Sequence, residues 1–169
     1  MTTEGSFCAM MREGNAGRRE LLMALRADGQ GLNCIGGRVE PGESREDAAV
    51  REALEETGLN VRVIHKIGND LYLLKDGQIA DVASIYLVQV MGGELKYTEE
   101  ISGFRWVSIG ELPTLKIIKR PCPGFPMGRT YAMAEMALSH EEPFLRDYFT
   151  ILRKDASDRD VPHIHNRFE

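Results

Sequence analysis

Apolar residues along the chain form short runs separated by glycine-containing and charged stretches. The runs "SFCAMM", "ELLMAL" and "LNCIGG" have the length of strands rather than of helices. Asp28-Gly29 lies between the second and third runs and favours a tight hairpin, because glycine adopts a positive φ without strain. The start of the chain is therefore predicted to contain strands that pair antiparallel with their neighbours.

The same turn signal recurs further along the chain. Asp76-Gly77 separates "DLYLLK" from "ADVASIYLVQV", and Gly92-Gly93 precedes "ELKY", so a hairpin is predicted at each site. Residues 82–90 are apolar on both alternating faces, a pattern typical of a central strand that is covered on both sides. "GFRWV" is predicted as a further short strand.

The apolar period changes to that of a helix over residues 44–57 and again over residues 129–140. Ser44, followed three positions later by Asp47, is a start signal that resembles a capping box, and Gly58 is a stop signal. A further helix is predicted in "PFLRDYFTILRK". Strands mixed with helices that must cover both sheet faces predict a layered α/β domain.

The domain organisation follows from length and from the distribution of proline. The 169 residues suit one domain, which we predict over residues 1–153, with residues 154–169 as a polar tail. Residues 113–128 hold four of the seven prolines and are predicted to form a loop.

Charge and cysteine usage narrow the classes of function. A net charge of −5 argues against an extended nucleic-acid footprint. Cys8, Cys34 and Cys122 are widely spaced and lack a CxxC pattern, which argues against a disulfide framework and favours a reducing, cytoplasmic setting. The chain has neither a secretory start nor eighteen consecutive apolar residues, so no membrane partner is expected.

The helix over residues 44–57 carries an unusual cluster of negative charge. Its helical projection places Glu52, Glu55 and Glu56 on one side and Val50, Ala53, Leu54 and Thr57 on the other. Each like-charged pair at helical spacing costs roughly 0.2–0.5 kcal/mol, and a merely solvated face would gain from interspersed lysines. Converging carboxylates suit a hard divalent cation such as Mg²⁺, which in turn commonly binds substrate phosphates. We therefore predict a metal site on this helix.

The residues around this helix also match a family pattern. The pattern consists of Gly37, Glu43 after five intervening residues and, after seven more, the segment "REALEETGL". It resembles the complete Nudix box of the Nudix hydrolases, here residues 37–59. These enzymes cleave nucleoside diphosphates linked to another moiety. The resemblance implies an α/β/α sandwich with a mixed, partly antiparallel sheet, and it allows a homodimer in which residues 141–153 form an interface helix.

The resemblance implies roles for individual residues. Glu52, Glu55 and Glu56 would bind Mg²⁺, or Mn²⁺ as a substitute, with the carbonyl of Gly36 or Gly37 as a further ligand. The implied catalytic and supporting residues also include Arg51, Glu43 and Glu100. Either Glu52 or Glu100 would take the proton from the attacking water.

The substrate is less well specified. Arg26 and Arg38 are candidate phosphate-binding residues, with solvated strand-end side chains as the alternative. Lys116, Lys119 and Arg120 make the proline-rich loop basic, which suits a second anionic group of the substrate, but an ordinary solvated loop is favoured. About sixteen residues after the box, Leu74 and Lys75 stand where some members of this family have the proline or tyrosine associated with ADP-ribose or diadenosine polyphosphates, and Tyr72 lies slightly too early to match. The expected function is Mg²⁺-dependent hydrolysis of a pyrophosphate linkage in a nucleotide-type small molecule. The alternatives are a nucleotide-binding regulatory module without turnover and an isomerase that acts on a diphosphate.

Aromatic and histidine side chains are weaker candidates. Phe7, Tyr72, Tyr86 and Trp106 lie in predicted strands or beside them, where aromatic residues more often belong to the core than to a base-stacking site. His163 and His165 are two residues apart in the polar tail and are not expected to bind zinc.

Overall fold

A computed structural model shows six strands in one mixed sheet with an α-helix packed on each face. The structure describes residues 2–140, together with the backbone of residues 151–154 and 160–163. The elements are β1 Thr3–Glu13, β2 Arg19–Arg26, β3 Leu32–Arg38, α1 Arg45–Thr57, β4 Leu59–Lys75, β5 Gln78–Gly93, β6 Ile101–Ser108, α2 Arg129–Ser139, β7 Ile151–Lys154 and β8 Asp160–His163. The α/β/α architecture predicted from the sequence is confirmed.

The strand order is β4-β5-β1-β3-β2-β6, and β1 connects the two halves of the sheet. The first half of β1 pairs antiparallel with β3 and parallel with β5. The last residues of β1 pair antiparallel with β2 instead, from Met11 opposite Leu21 to Glu13 opposite Arg19. The remaining neighbours in this sheet are antiparallel, so β1–β5 is the parallel pair that makes it mixed.

Two apolar clusters fill the space between the sheet and the helices. The cluster beneath α1 includes Ala49 and Ala53, and the cluster beneath α2 includes Met133 and Ala137. Strand β5 supplies side chains to both clusters in alternation, as expected for a strand with two covered faces. The prediction for residues 82–90 is therefore confirmed.

Two of the predicted hairpins form and one does not. Asp28-Gly29 joins β2 to β3, and Asp76-Gly77 joins β4 to β5 with φ values of 53° and 76°. The hairpin at Gly92-Gly93 is wrong, because β5 ends there and residues 94–97 form no strand. That segment instead lies against the end of α1, because the Lys96 amide donates a hydrogen bond to the Thr57 carbonyl at 2.8 Å.

Other differences concern long or distant elements. Strand β4 begins at Leu59, well before the predicted run "DLYLLK", and its four register shifts against β5 interrupt the two-residue period that would have predicted it. The helix predicted in "PFLRDYFTILRK" is wrong at residues 151–154, which form β7 and pair antiparallel with β8. Residues 141–150 of the predicted interface helix lie outside the described residues, as does His165. Strand β8 includes His163, within the predicted tail.

The start of α1 has the predicted cap. The Ser44 hydroxyl accepts from the Asp47 amide at 3.0 Å, and Gly58 ends the helix with φ 77°. Ser44→Ala is expected to lower the free energy of unfolding by about 1 kcal/mol, because the substitution leaves this amide without its acceptor. Urea unfolding would measure the change, with Ser139→Ala at the exposed end of α2 as a control. An equal loss in both variants would contradict the cap's contribution.

Candidate active site

Helix α1 packs on the sheet through small residues. Ala48, Ala49 and Ala53 are fully buried, and the Cys8 thiol of β1 donates to the Ala49 carbonyl at 2.9 Å. Leu54, which was predicted on the packed side, is 48% exposed, so that prediction is wrong. The alanine stripe allows the helix to lie close to the sheet and sets its rotation.

This rotation brings Glu56 against the end of β3. The Gly36 amide donates to the Glu56 carboxylate at 2.9 Å, and the side chain is largely enclosed. The pKa of Glu56 is raised to about 7, mainly by burial and also by the nearby charges of Glu52 and Glu100, against the opposing effect of the Gly36 hydrogen bond. Glu56 therefore lies in an environment of negative potential that a bound cation would relieve.

Glu52 lies one turn before Glu56 and faces Gly37. Its side chain is 14% exposed, and burial raises its pKa despite the neighbouring Arg51 guanidinium. A Cβ atom at Gly37 would collide with the Glu52 carboxylate. The missing side chain at Gly37 is thus what leaves space for the carboxylate.

Arg51 holds the acidic side chains in a network. It donates through Nε and Nη2 to both carboxylate oxygens of Glu43 at 2.8 and 3.0 Å, and through Nη1 to Glu52 at 3.0 Å and Glu55 at 3.1 Å. Its Nη2 also donates to the Arg38 carbonyl at 2.9 Å, which fixes the end of β3. The guanidinium lowers the pKa of Glu43. This geometry suits the orienting roles implied for Arg51 and Glu43.

Most of the predicted site residues line one cavity of about 320 Å³. They are Arg26, Gly36, Gly37, Arg38, Glu52, Glu56 and Glu100. Glu100 precedes β6, and its carbonyl accepts from the Ala27 amide at 2.8 Å, which ties this loop to the end of β2. At the same end of β2, the Arg26 guanidinium forms an ion pair with the Asp28 carboxylate at 2.7 Å. Elements that are distant in the chain thus combine carboxylates and guanidinium groups around one space.

Other predicted residues lie outside this cavity. Glu55 is 58% exposed at its side chain and borders a neighbouring surface depression with Glu52, Glu56 and Glu100. In the proline-rich loop, Arg120 lines the cavity, whereas Lys116 donates to the Gly29 carbonyl at 2.7 Å. Among the other candidates, Phe7 lines the cavity, whereas Lys119, Tyr72, Tyr86 and Trp106 do not.

The sequence did not predict several other residues of the cavity lining. Asn33 comes from β3, Asp81 from β5, and Arg129 and Thr130 from the first turn of α2. The sequence predicted a helix beginning at residue 129, but it held no signal that the start of this helix lines the same cavity as the acidic helix.

The donor set fits a hard divalent cation. Among residues 2–140, no three His, Cys, Asp or Glu side chains are gathered closely enough to form a metal-binding group in the present arrangement. The candidate ligands around Glu52 and Glu56 are nevertheless all oxygen atoms, and burial disfavours the ionised form of both carboxyl groups. A cation at this point would offset that cost, which is the behaviour expected of a site for Mg²⁺ or Mn²⁺.

Comparison with protein families agrees with this geometry. A family model described as "NUDIX domain" matches residues 2–123, which include all of the cavity lining except Arg129 and Thr130. The chain belongs to the Nudix hydrolase family. It is therefore a pyrophosphohydrolase of the Nudix type. Separately, neither helix in the described part of the chain has the length and apolar character needed to cross a bilayer.

Relatives of this Nudix hydrolase have different substrates in their names. A Bacillus subtilis protein described as a "putative 8-oxo-dGTP diphosphatase" is 36% identical over 121 residues, which span 71% of this chain and 76% of the relative. An ADP-ribose pyrophosphatase from Methanocaldococcus jannaschii is 36% identical over 108 residues, spanning 59% of this chain and 64% of the relative.

A solved structure supports the fold. An ADP-ribose pyrophosphatase from Streptococcus suis superposes with a TM-score of 0.58 at 20% identity, covering 84% of this chain and 97% of the other. At this identity the likeness concerns the architecture of the sheet and helices.

Proposed function

We propose that this Nudix hydrolase cleaves the pyrophosphate linkage of a nucleotide or nucleoside diphosphate derivative in a reaction that requires Mg²⁺ or Mn²⁺. The observation that carries the proposal is the single cavity in which Glu52, Glu56 and Glu100 lie with Arg26 and Arg38. Carboxylates for a cation and guanidinium groups for phosphate oxygens are the two requirements for binding a metal–diphosphate complex. The 8-oxo-dGTP and ADP-ribose named for the relatives belong to this substrate class.

Each side chain has a role in this proposal. Glu52, Glu55 and Glu56 hold the cation, with a carbonyl of Gly36 or Gly37, and Arg51 keeps the first two carboxylates on their side of the helix. When bound, a cation there would polarise the phosphoryl oxygens and stabilise the leaving phosphate.

The remaining roles concern phosphate binding and proton transfer. Arg26 and Arg38 donate hydrogen bonds to the phosphate oxygens. Glu52 or Glu100 accepts the proton of the attacking water. Glu56 is the poorer candidate base because one of its oxygens already accepts from the Gly36 amide.

A cytoplasmic location and a homodimer stay predictions from the sequence.

A hydrolysis screen tests this function. The panel comprises ADP-ribose, nucleotide sugars, dinucleoside polyphosphates, NAD and NADH, unmodified and oxidised nucleoside triphosphates, and capped RNA, each with Mg²⁺, with Mn²⁺ and with EDTA. We expect chromatography to show a nucleoside monophosphate or a phosphate product, with a rate on the order of 10³-fold lower in EDTA. Glu46→Gln, at an exposed α1 residue outside the cavity, should retain the wild-type rate. Tight nucleotide binding without turnover in either metal would favour the regulatory module instead.

A further inference from the structure

Arg45, the first residue of α1, connects this helix to three strands of the sheet. Its Nε donates to the Glu4 carboxylate of β1 at 2.9 Å, and its Nη1 donates to the Asp70 carboxylate of β4 and to the Ser84 hydroxyl of β5, each at 3.0 Å. The Arg45 carbonyl also accepts from the Ser6 hydroxyl of β1. Both the side chain and the backbone at the start of α1 are therefore joined to the sheet by directed polar contacts.

Strand β4 bulges at the point where it meets Arg45. In the pairing of β4 with β5, residues 68–70 stand opposite the single residue Ser84. Such a bulge redirects side chains out of the regular alternation of a strand. Here one Asp70 oxygen accepts from the buried Ser84 hydroxyl at 2.8 Å and forms an ion pair with Lys66, while the other accepts from Arg45. Both Asp70 oxygens thus have partners, which holds the Arg45 side chain in one orientation.

Arg45 lies on the same side of α1 as two acidic residues of the site. Glu52 and Glu56 follow it by seven and eleven residues, so at about 100° per residue they project within about 20° of Arg45. A rotation of the helix at Arg45 therefore displaces both carboxylates together. At a side-chain radius of about 5–6 Å, a rotation of about 10° moves each of them by about 1 Å.

The apolar contact of α1 fixes its rotation only coarsely. Ala48, Ala49 and Ala53 decide which side of the helix faces the sheet, but methyl groups interlock little with the surface opposite them. Hydrogen bonds from a guanidinium have fixed directions and resist a further small rotation. Neither Arg45 nor Asp70 lines the cavity, so any effect of their contact on the reaction must pass through the helix.

We propose that Arg45 is a positioning residue that holds α1 in the rotation at which Glu52 and Glu56 can bind one cation. The inference rests on the proposed function for the assignment of these carboxylates to the cation. The bulge at residues 68–70 then belongs to the framework of the active site, because it places the Asp70 acceptor opposite Arg45. Residues that orient metal ligands typically change metal affinity or activity by about 10- to 100-fold when mutated.

The test measures binding of Mn²⁺ alone by electron paramagnetic resonance, without substrate, for the wild type, Arg45→Met and Asp70→Ala. We expect the Kd for Mn²⁺ to rise at least about tenfold in each variant. With the best substrate of the hydrolysis screen and saturating Mn²⁺, kcat should fall about 10- to 100-fold while KM stays within about threefold, because Arg26 and Arg38 are unchanged. A purely structural role would lower the temperature of unfolding and leave Kd and kcat of the folded protein unaltered.

A double variant isolates the contact between Arg45 and Asp70. Glu4 lines the cavity, so Arg45→Met also releases a carboxylate there, whereas Asp70→Ala leaves the pair of Arg45 with Glu4 in place. If the two residues act through their contact, the double variant should raise Kd by no more than about twofold beyond the weaker-binding single variant. Effects that multiply in the double variant overturn the inference.

Controls separate positioning from folding. Arg62→Met removes an exposed arginine of β4 that pairs with Gln89 of β5 outside the cavity, and it should keep the wild-type Kd and kcat. If Arg45→Met does not fold, Arg45→Lys keeps the charge but offers one donor group in place of two nitrogens, and it should still raise Kd at least about threefold. Wild-type Kd and kcat in the folded Arg45 and Asp70 variants overturn the inference.

The metal titration also separates this inference from the proposed function. A wild type whose Mn²⁺ binding depends on Arg45, but which hydrolyses none of the panel, supports the inference and contradicts the function. Metal-dependent hydrolysis with a Kd and kcat that do not depend on Arg45 does the opposite. A wild type that binds no Mn²⁺ contradicts both.

Discussion

Glu56→Gln is expected to lower kcat on the order of 10³-fold and at the same time to stabilise the metal-free protein at pH 8. The loss of activity follows from the removal of a carboxylate that the proposed function assigns to the cation. The gain in stability follows from the enclosed position of Glu56, whose pKa in the folded protein is raised to about 7, mainly by burial. Glutamine keeps an oxygen acceptor for the Gly36 amide without the buried charge.

The pH dependence has a definite sign. Between the ordinary pKa of a glutamate and about 7, the folded wild type binds more protons than the unfolded chain, so its stability falls as the pH rises through this range. The full difference amounts to about 3 kcal/mol above pH 7. Glu56→Gln removes this dependence, and added Mg²⁺ should reduce it in the wild type.

Thermal unfolding in EDTA at pH 5 and pH 8 measures the stability effect, and initial rates at saturating Mg²⁺ measure the activity. Glu46→Gln, on the exposed part of the same helix, serves as the matched control and should change neither quantity appreciably. A Glu56→Gln variant with wild-type kcat would exclude the assigned role in metal binding. An unfolding difference that is the same at both pH values would contradict the effect of burial.

Gly36→Ala and Gly37→Ala are expected to fail in different ways although the residues are adjacent. Gly36 has φ 145°, and a Cβ there would collide with backbone atoms of Ser6 and Phe7 in β1. Strain and overlap with a strand that cannot move should lower the free energy of unfolding by at least about 3 kcal/mol. A Cβ at Gly37 would instead meet the end of the Glu52 side chain, which can swing away.

Gly37→Ala should therefore lower the free energy of unfolding by less than about 1 kcal/mol but reduce kcat by about 10- to 100-fold, because a displaced catalytic group is costly. Urea titration of both variants and steady-state kinetics of Gly37→Ala distinguish the two cases. Gly42→Ala is a useful control, since a Cβ at Gly42 meets nothing within 4 Å and only the positive φ of 81° is strained. Equal destabilisation at Gly36 and Gly37 would contradict this account.

The acidic part of the site was predictable because it is local in the sequence. Helical spacing alone placed Glu52 and Glu56 on one side of α1, and the Ser44 cap and Gly58 stop fixed the ends of that helix. The rotation of the helix was harder to predict. Leu54 is exposed because Ala48, Ala49 and Ala53 permit a closer contact with the sheet than a leucine would. A pattern of hydrophobic residues does not show how closely a helix approaches the sheet.

The rest of the site depends on contacts between distant parts of the chain. Asn33, Asp81 and Arg129 meet only because β3, β5 and α2 converge, and no local pattern encodes that convergence. Similarly, Gly92-Gly93 has the composition of a hairpin turn, but the chain uses Gly93 for a close approach to the Gly58 carbonyl. Glycine permits both uses, so the sequence alone does not separate them.

The parallel pairing of β1 with β5 also affects the order in which the protein folds. Thr3 and Asp81 contact each other although they are 78 residues apart in the chain, and closing so long a loop is entropically costly and slow. During synthesis, β1 must wait until β5 has emerged from the ribosome, whereas α1 can form from local signals well before then. Phe7 and Asp81 both line the cavity, so a growing chain carries its acidic helix before it has a nucleotide pocket. Substrate binding can begin only after β1 has paired with β5.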